Sequence, residues 1–244
     1  MTSADSASTQ RASAAKTRLA RLFVACGALY ALSYVSANDI IAASRFRGYN
    51  RIDQAVSELS AKGAASRPFL VAMLAIWTAL MIAFGIGLVM SANGKRVLRI
   101  TGGVLIAHGV VAISWLWFPM TSRQDMIRAG TASNDTGHLV LSTLTIVFIL
   151  AELGFAAVAF GTRFQVYSAV TAVTVLVFGA LVGPLAAGIP DGKGTPWMGL
   201  YERVSIGGWL LWMTVLPVML LRTRADPPKV TITSDTSREL VRAG

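Results

Sequence analysis

Cysteine is almost absent: Cys26 is the only one in the 244-residue chain. An intramolecular disulfide and a thiolate metal cluster are therefore excluded. Histidine is nearly as scarce, with only His108 and His138. Charge is short too, at 14% Asp, Glu, Lys and Arg, against about 25% in soluble domains. Acids are the scarcer sign, 12 against 22 bases, which leaves a net charge of +10. Such an excess resembles a nucleic-acid footprint until it is placed along the chain.

Apolar residues are what the chain has in plenty, at 54% hydrophobic with a mean hydropathy of +0.59. Six runs reach the roughly 20 residues that a membrane helix needs: 19–41, 68–91, 100–120, 138–160, 165–187 and 200–221. The expected fold class is all-α, a polytopic bundle of six transmembrane helices forming one membrane domain over 18–222. Residues 1–17, rich in Ser, Ala and Thr, and 223–244, with Pro227 and Pro228, are expected to be disordered tails. The first run is longer than the apolar region of a cleaved signal peptide, so it is kept as a span. With six spans, both tails share a side with the loops at 92–99 and 161–164. That side holds 13 of the 22 bases and four of the 12 acids. The bias predicts cytoplasmic termini in a plasma or inner membrane. Lipid, rather than nucleic acid, is then the partner of these bases.

The opposite, outer side carries three longer connections of mixed charge. In the first, Asn50 with Asp53 three residues later, then Ile52, Val56 and Leu59, predicts a short amphipathic helix lying on the outer membrane surface or over the bundle and stopped by Gly63. The second, 121–137, is polar, and the Gly- and Pro-rich third, 188–199, is a loop. Gly179 and Gly183 form a GxxxG contact motif ahead of a kink at Pro184. Gly102, Gly103, Gly207 and Gly208 also suit close helix approach. Trp209 and Trp212 lie deep enough to be packing residues.

A polar line crosses the fourth span. Asp135, His138, Ser142, Thr145 and Glu152 fall on one helical face. A carboxylate at membrane depth is costly and marks a functional candidate. Glu152 and His108 each lie eight residues from the inner ends of neighbouring spans, about 12 Å deep. They are an expected intramembrane polar pair, read first as interhelical glue and second as part of a proton path. Ser168, Thr171 and Thr174 line the fifth span at the same level. The two histidines differ by about 18 Å in depth, so they cannot share a haem or a zinc ion. No metal site and no cofactor are implied. Asp135, His138 and Ser142 are the candidate catalytic residues of a hydrolase, although one helix is an awkward carrier for a triad and no nucleophile elbow is present.

Ser57-Glu58-Leu59-Ser60 followed by Pro68, Phe118-Pro119 with Arg123 and Asp125, Asp135-Thr136-Gly137-His138, and Gly199-Leu200-Tyr201-Glu202-Arg203 followed by Trp209 and Trp212 occur in that order. In these motifs the chain resembles the bacterial and archaeal membrane family catalogued as domain of unknown function 998, over about residues 20–222. The resemblance implies a six-span membrane protein and supplies no activity. It singles out Glu58, Arg123, Asp135, His138, Glu202 and Arg203 as ligand-binding candidates, all at the outer boundary. The leading expectation is a non-enzymatic protein that binds or handles a lipid or small amphiphile in its outer half. An intramembrane enzyme acting on a lipid comes second and a proton-coupled transporter third.

Overall fold

A computed structural model describes residues 3–130 and 135–223. The expected C-terminal tail lies outside the described residues from position 224 onward, as does Asn134 in the second outer connection. Six helices are long and apolar enough to cross a membrane. Helix α1 (Ser3–Val35) continues through a π-helical turn (Ser36–Ala42) into α2 (Ala43–Arg45). A 3-10 turn (Val56–Ser60) precedes α3 (Arg67–Ser91). Next come α4 (Arg96–Ala112) with a 3-10 extension (Ile113–Leu116), the short α5 (Arg123–Ala129), α6 (Thr136–Val158), α7 (Thr162–Ala187) and α8 (Met198–Thr223).

The spanning helices pack in chain order, α1 on α3, α3 on α4, α4 on α6, α6 on α7 and α7 on α8. Contact between α1 and α8 then closes the ring. Leu22, Leu32, Ile76, Val110, Val147, Val170 and Leu211 face outward and are at least half exposed. Trp77, Phe84, Trp209 and Trp212 point inward and are buried. An apolar rim around an aromatic and partly polar interior suits a lipid solvent, which provides no hydrophobic drive for helices to associate. Close packing supplies it instead. A methyl group on Gly85 would meet the Gly102 carbonyl oxygen at 2.6 Å, and one on Gly102 would meet the Gly85 oxygen at 2.5 Å. The α3–α4 contact thus needs glycine at both positions.

Several boundaries differ from the sequence expectation. The N-terminal tail expected to be disordered is helical from Ser3, because Ala12, Ala14 and Ala15 are strong helix formers and neither Gly nor Pro interrupts the run before Gly27. The third span stops at Leu116 rather than Met120, since Pro119 disfavours helix at the residue before it. The GxxxG motif makes no close contact: Gly183 has open space, and Gly179 would meet Ser205 only at an ordinary 3.6 Å. Gly103 and Gly207 are also open. Instead, Gly199 is jammed against the Gln54 and Arg51 carbonyls of the first outer connection.

That connection is turned inward. Asn50 Oδ1 accepts from the Ile52 N–H at 2.9 Å, and Asn50 Nδ2 donates to Asp53 at 2.7 Å. These are N-cap bonds, and the Gln54 N–H donates to the Asn50 carbonyl at 2.8 Å, so one capped turn forms at 50–54. Ala55 is then extended (ψ 150°), which separates that turn from the 3-10 turn Val56–Ser60. Val56, Glu58 and Leu59 are buried, so of the two expected placements the segment takes the one over the end of the bundle, against α3 and α8. In the second connection Ser122 caps α5 by accepting from the Asp125 N–H at 3.1 Å, and Gly130 (φ 53°) ends it. The Ser122-x-x-Asp125 spacing is a readable cap signal within a stretch expected only to be polar.

Candidate functional site

Two polar centres occupy the interior, one midway along the bundle and one at the end where the connections before α3, α5 and α8 meet, the end expected to face outward. In the first, His108 Nδ1 on α4 lies 2.8 Å from Glu152 Oε1 on α6. The other carboxylate oxygen accepts from Trp209 Nε1 on α8, also at 2.8 Å. Glu152 is 0% exposed and His108 3%. The imidazole stacks on Phe148 at 5.2 Å and lies 5.6 Å from the Trp209 ring. Three helices are thus tied through one carboxylate. Trp209 was read from sequence as a packing residue, yet a buried indole N–H needs an acceptor. The same rule holds for Trp212, which donates to Ser168 on α7 at 3.1 Å. Thr171 and Thr174 bond back to carbonyls of their own helix.

The outer centre is built by three connections distant in sequence. Glu58 is 2% exposed. Its Oε1 accepts from the Ala55 N–H at 3.1 Å and its Oε2 from Gln54 Nε2 at 2.8 Å. Arg123, at the start of α5, grips both oxygens, through Nε at 3.0 Å and Nη2 at 2.6 Å. This two-point geometry is the strongest form of the pair. Arg123 Nη2 also donates to Thr195 Oγ1 at 3.0 Å, and that hydroxyl donates to the Asp53 carbonyl at 2.6 Å. The Asp53 side chain accepts from the Trp197 N–H at 3.0 Å and holds that residue at φ 66°. Asp53, Gln54, Arg123, Gly194, Thr195 and Pro196 line an open groove of about 540 Å³. The apolar side chains of Ile52 and Trp197, both about half exposed, flank it in sequence.

Arg203 forms a separate clamp. Its Nε donates to Asp39 at 2.7 Å, its Nη1 to the Arg51 carbonyl at 2.8 Å and its Nη2 to Tyr49 at 2.9 Å. Tyr49 in turn donates to the Ala55 carbonyl at 2.8 Å. Burial pushes the Tyr49 phenol up to about 12, against the opposing pull of Arg203. The hydroxyl therefore stays a donor at any physiological pH. Glu202 accepts from the Val56 N–H. Asp39 sits in the π-helical turn of α1, so the clamp ties α1, the first connection and α8 together.

The six ligand-binding candidates therefore do not form one cluster. Glu58 and Arg123 pair, and Glu202 and Arg203 hold the segments on either side. Asp135 accepts instead from the Thr121 N–H at 2.9 Å and from its hydroxyl. His138 Nδ1 faces the Phe118 carbonyl at 3.2 Å, with its ring 5.0 Å from Trp115. Among the described residues no hydrogen bond or ion pair joins Asp135 or His138 to the groove. The catalytic candidates are also dispersed: Ser142 donates to the backbone carbonyl of His138 at 2.8 Å, not to its ring. One turn of helix points these side chains at different partners, so the arrangement lacks a nucleophile–base contact. Among the described residues there is no cluster of three or more acidic, His or Cys side chains placed to hold a metal ion.

Asp39, Tyr49, Gln54 and Thr195 are not singled out by the sequence, and Asp53 is singled out only as the partner of Asn50 in a helix cap.

A family model described as Protein of unknown function (DUF998) matches residues 24–219. No curated protein and no solved structure matches the chain.

Proposed function

The chain belongs to the DUF998 family, of unknown function, and we propose that it binds a small amphiphile or lipid headgroup at the outer end of its six-span bundle. The observation that carries this is the open groove of about 540 Å³ beside Arg123. Its lining exposes more apolar than polar surface, with Asp53, Gln54, Arg123 and Thr195 as the hydrogen-bonded polar groups within it. That combination suits a molecule with a polar head and an apolar remainder. Glu58 holds the guanidinium in place before any ligand arrives, which reduces the ordering cost of binding. The charge bias of the loops favours a plasma or inner membrane, with both termini in the cytoplasm.

Gly194 provides a test that leaves the bonded network intact, since a side chain there would meet nothing within 4 Å. Gly194→Phe is expected to fill the groove. Mass spectrometry of protein extracted in native nanodiscs should show a specific amphiphile with the parent chain and about tenfold less with the variant, at equal thermal stability. Equal retention by both chains would remove the groove from consideration.

A further inference from the structure

The groove is charged unevenly, and that imbalance specifies its ligand; the inference rests on the groove being the binding site. The Arg123 charge is already answered by Glu58 at 2.6 Å. Its Nε and Nη2 are engaged with Glu58 and Thr195, while Nη1 has no acceptor among the described residues. Arg123 lines the groove, its Nη1 N–H donors are unengaged among the described residues, and its charge is balanced by Glu58. Asp53 is in the opposite condition. Its carboxylate receives only neutral donors, the Trp197 N–H at 3.0 Å and Asn50 Nδ2 at 2.7 Å. No Lys, Arg or His among the described residues forms an ion pair with it. Lys193, the cation of the neighbouring loop, is paired with Asp191 at 3.0 Å. The formal sum over Asp53, Glu58 and Arg123 is one negative charge.

A simple anion would gain hydrogen bonds from Arg123 and meet repulsion from Asp53. A simple cation would answer Asp53 and leave the Arg123 donors without an acceptor. We infer that the groove takes a headgroup carrying both an ammonium group, for Asp53, and a phosphate-type acceptor oxygen, for Arg123. Phosphoethanolamine has this chemistry, and it occurs both as a lipid headgroup and as a free molecule. The preference is unusual for a chain with a net charge of +10, whose basic surfaces by themselves would enrich anionic lipid.

The test uses the full chain in nanodiscs of equal phosphatidylethanolamine and phosphatidylglycerol, read by native mass spectrometry. Phosphatidylethanolamine should be retained about tenfold over phosphatidylglycerol. Asp53→Asn should abolish that preference. It removes the charge and keeps an oxygen for the Trp197 N–H while giving up the bond from Asn50 Nδ2, so thermal stability is measured beside lipid retention. Gly194→Lys, which places a competing ammonium in the groove, should abolish it independently of any change at Asp53. Free phosphoethanolamine added to delipidated protein separates the sources. A thermal shift indicates that the headgroup suffices, whereas retention of the intact lipid alone indicates a membrane source. Preferential retention of phosphatidylglycerol, or a preference that survives both variants, overturns the headgroup assignment. If Gly194→Phe still releases lipid in that case, the groove itself stands; if it does not, both readings fall.

Discussion

Glu152 accepts one bond at each carboxylate oxygen, from His108 and from Trp209, and this decides what its replacement should do. Glu152→Leu leaves both partners buried without an acceptor and is expected to cost about 1–3 kcal/mol in thermal unfolding in detergent. Glu152→Gln keeps an oxygen for Trp209 and offers an N–H to a neutral His108, so its loss should be less than half as large. If the two variants proved equally damaging, the negative charge itself would be required. At the outer end, Arg123→Ala removes the partner of a carboxylate that is 3% exposed. Its expected cost is about 3–5 kcal/mol, because the charge left behind is buried. Arg123→Ala combined with Glu58→Leu should recover much of that loss. The central pair was legible from depth alone, since helix rise fixes how far each side chain lies from the boundary. The Glu58–Arg123 pair was legible only as two separate candidates. They are 65 positions apart on connections whose paths no periodicity describes.

The six spans were plain in the sequence because lipid imposes length and apolarity on every one of them. The short elements were not. Residues 50–55 have helical spacing and form one turn capped by Asn50, but Ala55 is extended and its N–H goes to the Glu58 carboxylate, so the helix does not continue. Helix α5 is cap-signalled by Ser122 and Asp125, but its seven residues bury only Met126, so no apolar periodicity marks it as a helix. Small residues misled in the same way, because GxxxG describes an ability to approach closely and not a neighbour that does so. Gly179 and Gly183 lack the neighbour, while Gly85 and Gly102 face each other's carbonyls. Gly85→Leu and Gly102→Leu should therefore each prevent α3 from seating on α4, seen as loss of monodisperse protein in size-exclusion chromatography. Gly183→Leu should elute as the parent chain does.

For the whole molecule, the even number of spans and the charge bias predict a sidedness that can be measured. In a Cys26→Ser background, a single cysteine at Lys193 should react with an impermeant maleimide on intact cells. One at Arg163 should react only after permeabilisation. The reverse pattern would invert the orientation and place the groove in the cytoplasm. The closed ring also sets a timetable. The side of α1 that receives α8, including Tyr30 beside Trp209, is made first and covered last. Through nearly all of synthesis, that face and the half-built outer end must wait in the membrane without their final wall. A nascent chain that stalls before α8 therefore lacks the Trp209 N–H, the Arg203 clamp and the seam with α1 at once. Such a product should be cleared as a whole rather than persist as a five-helix remnant.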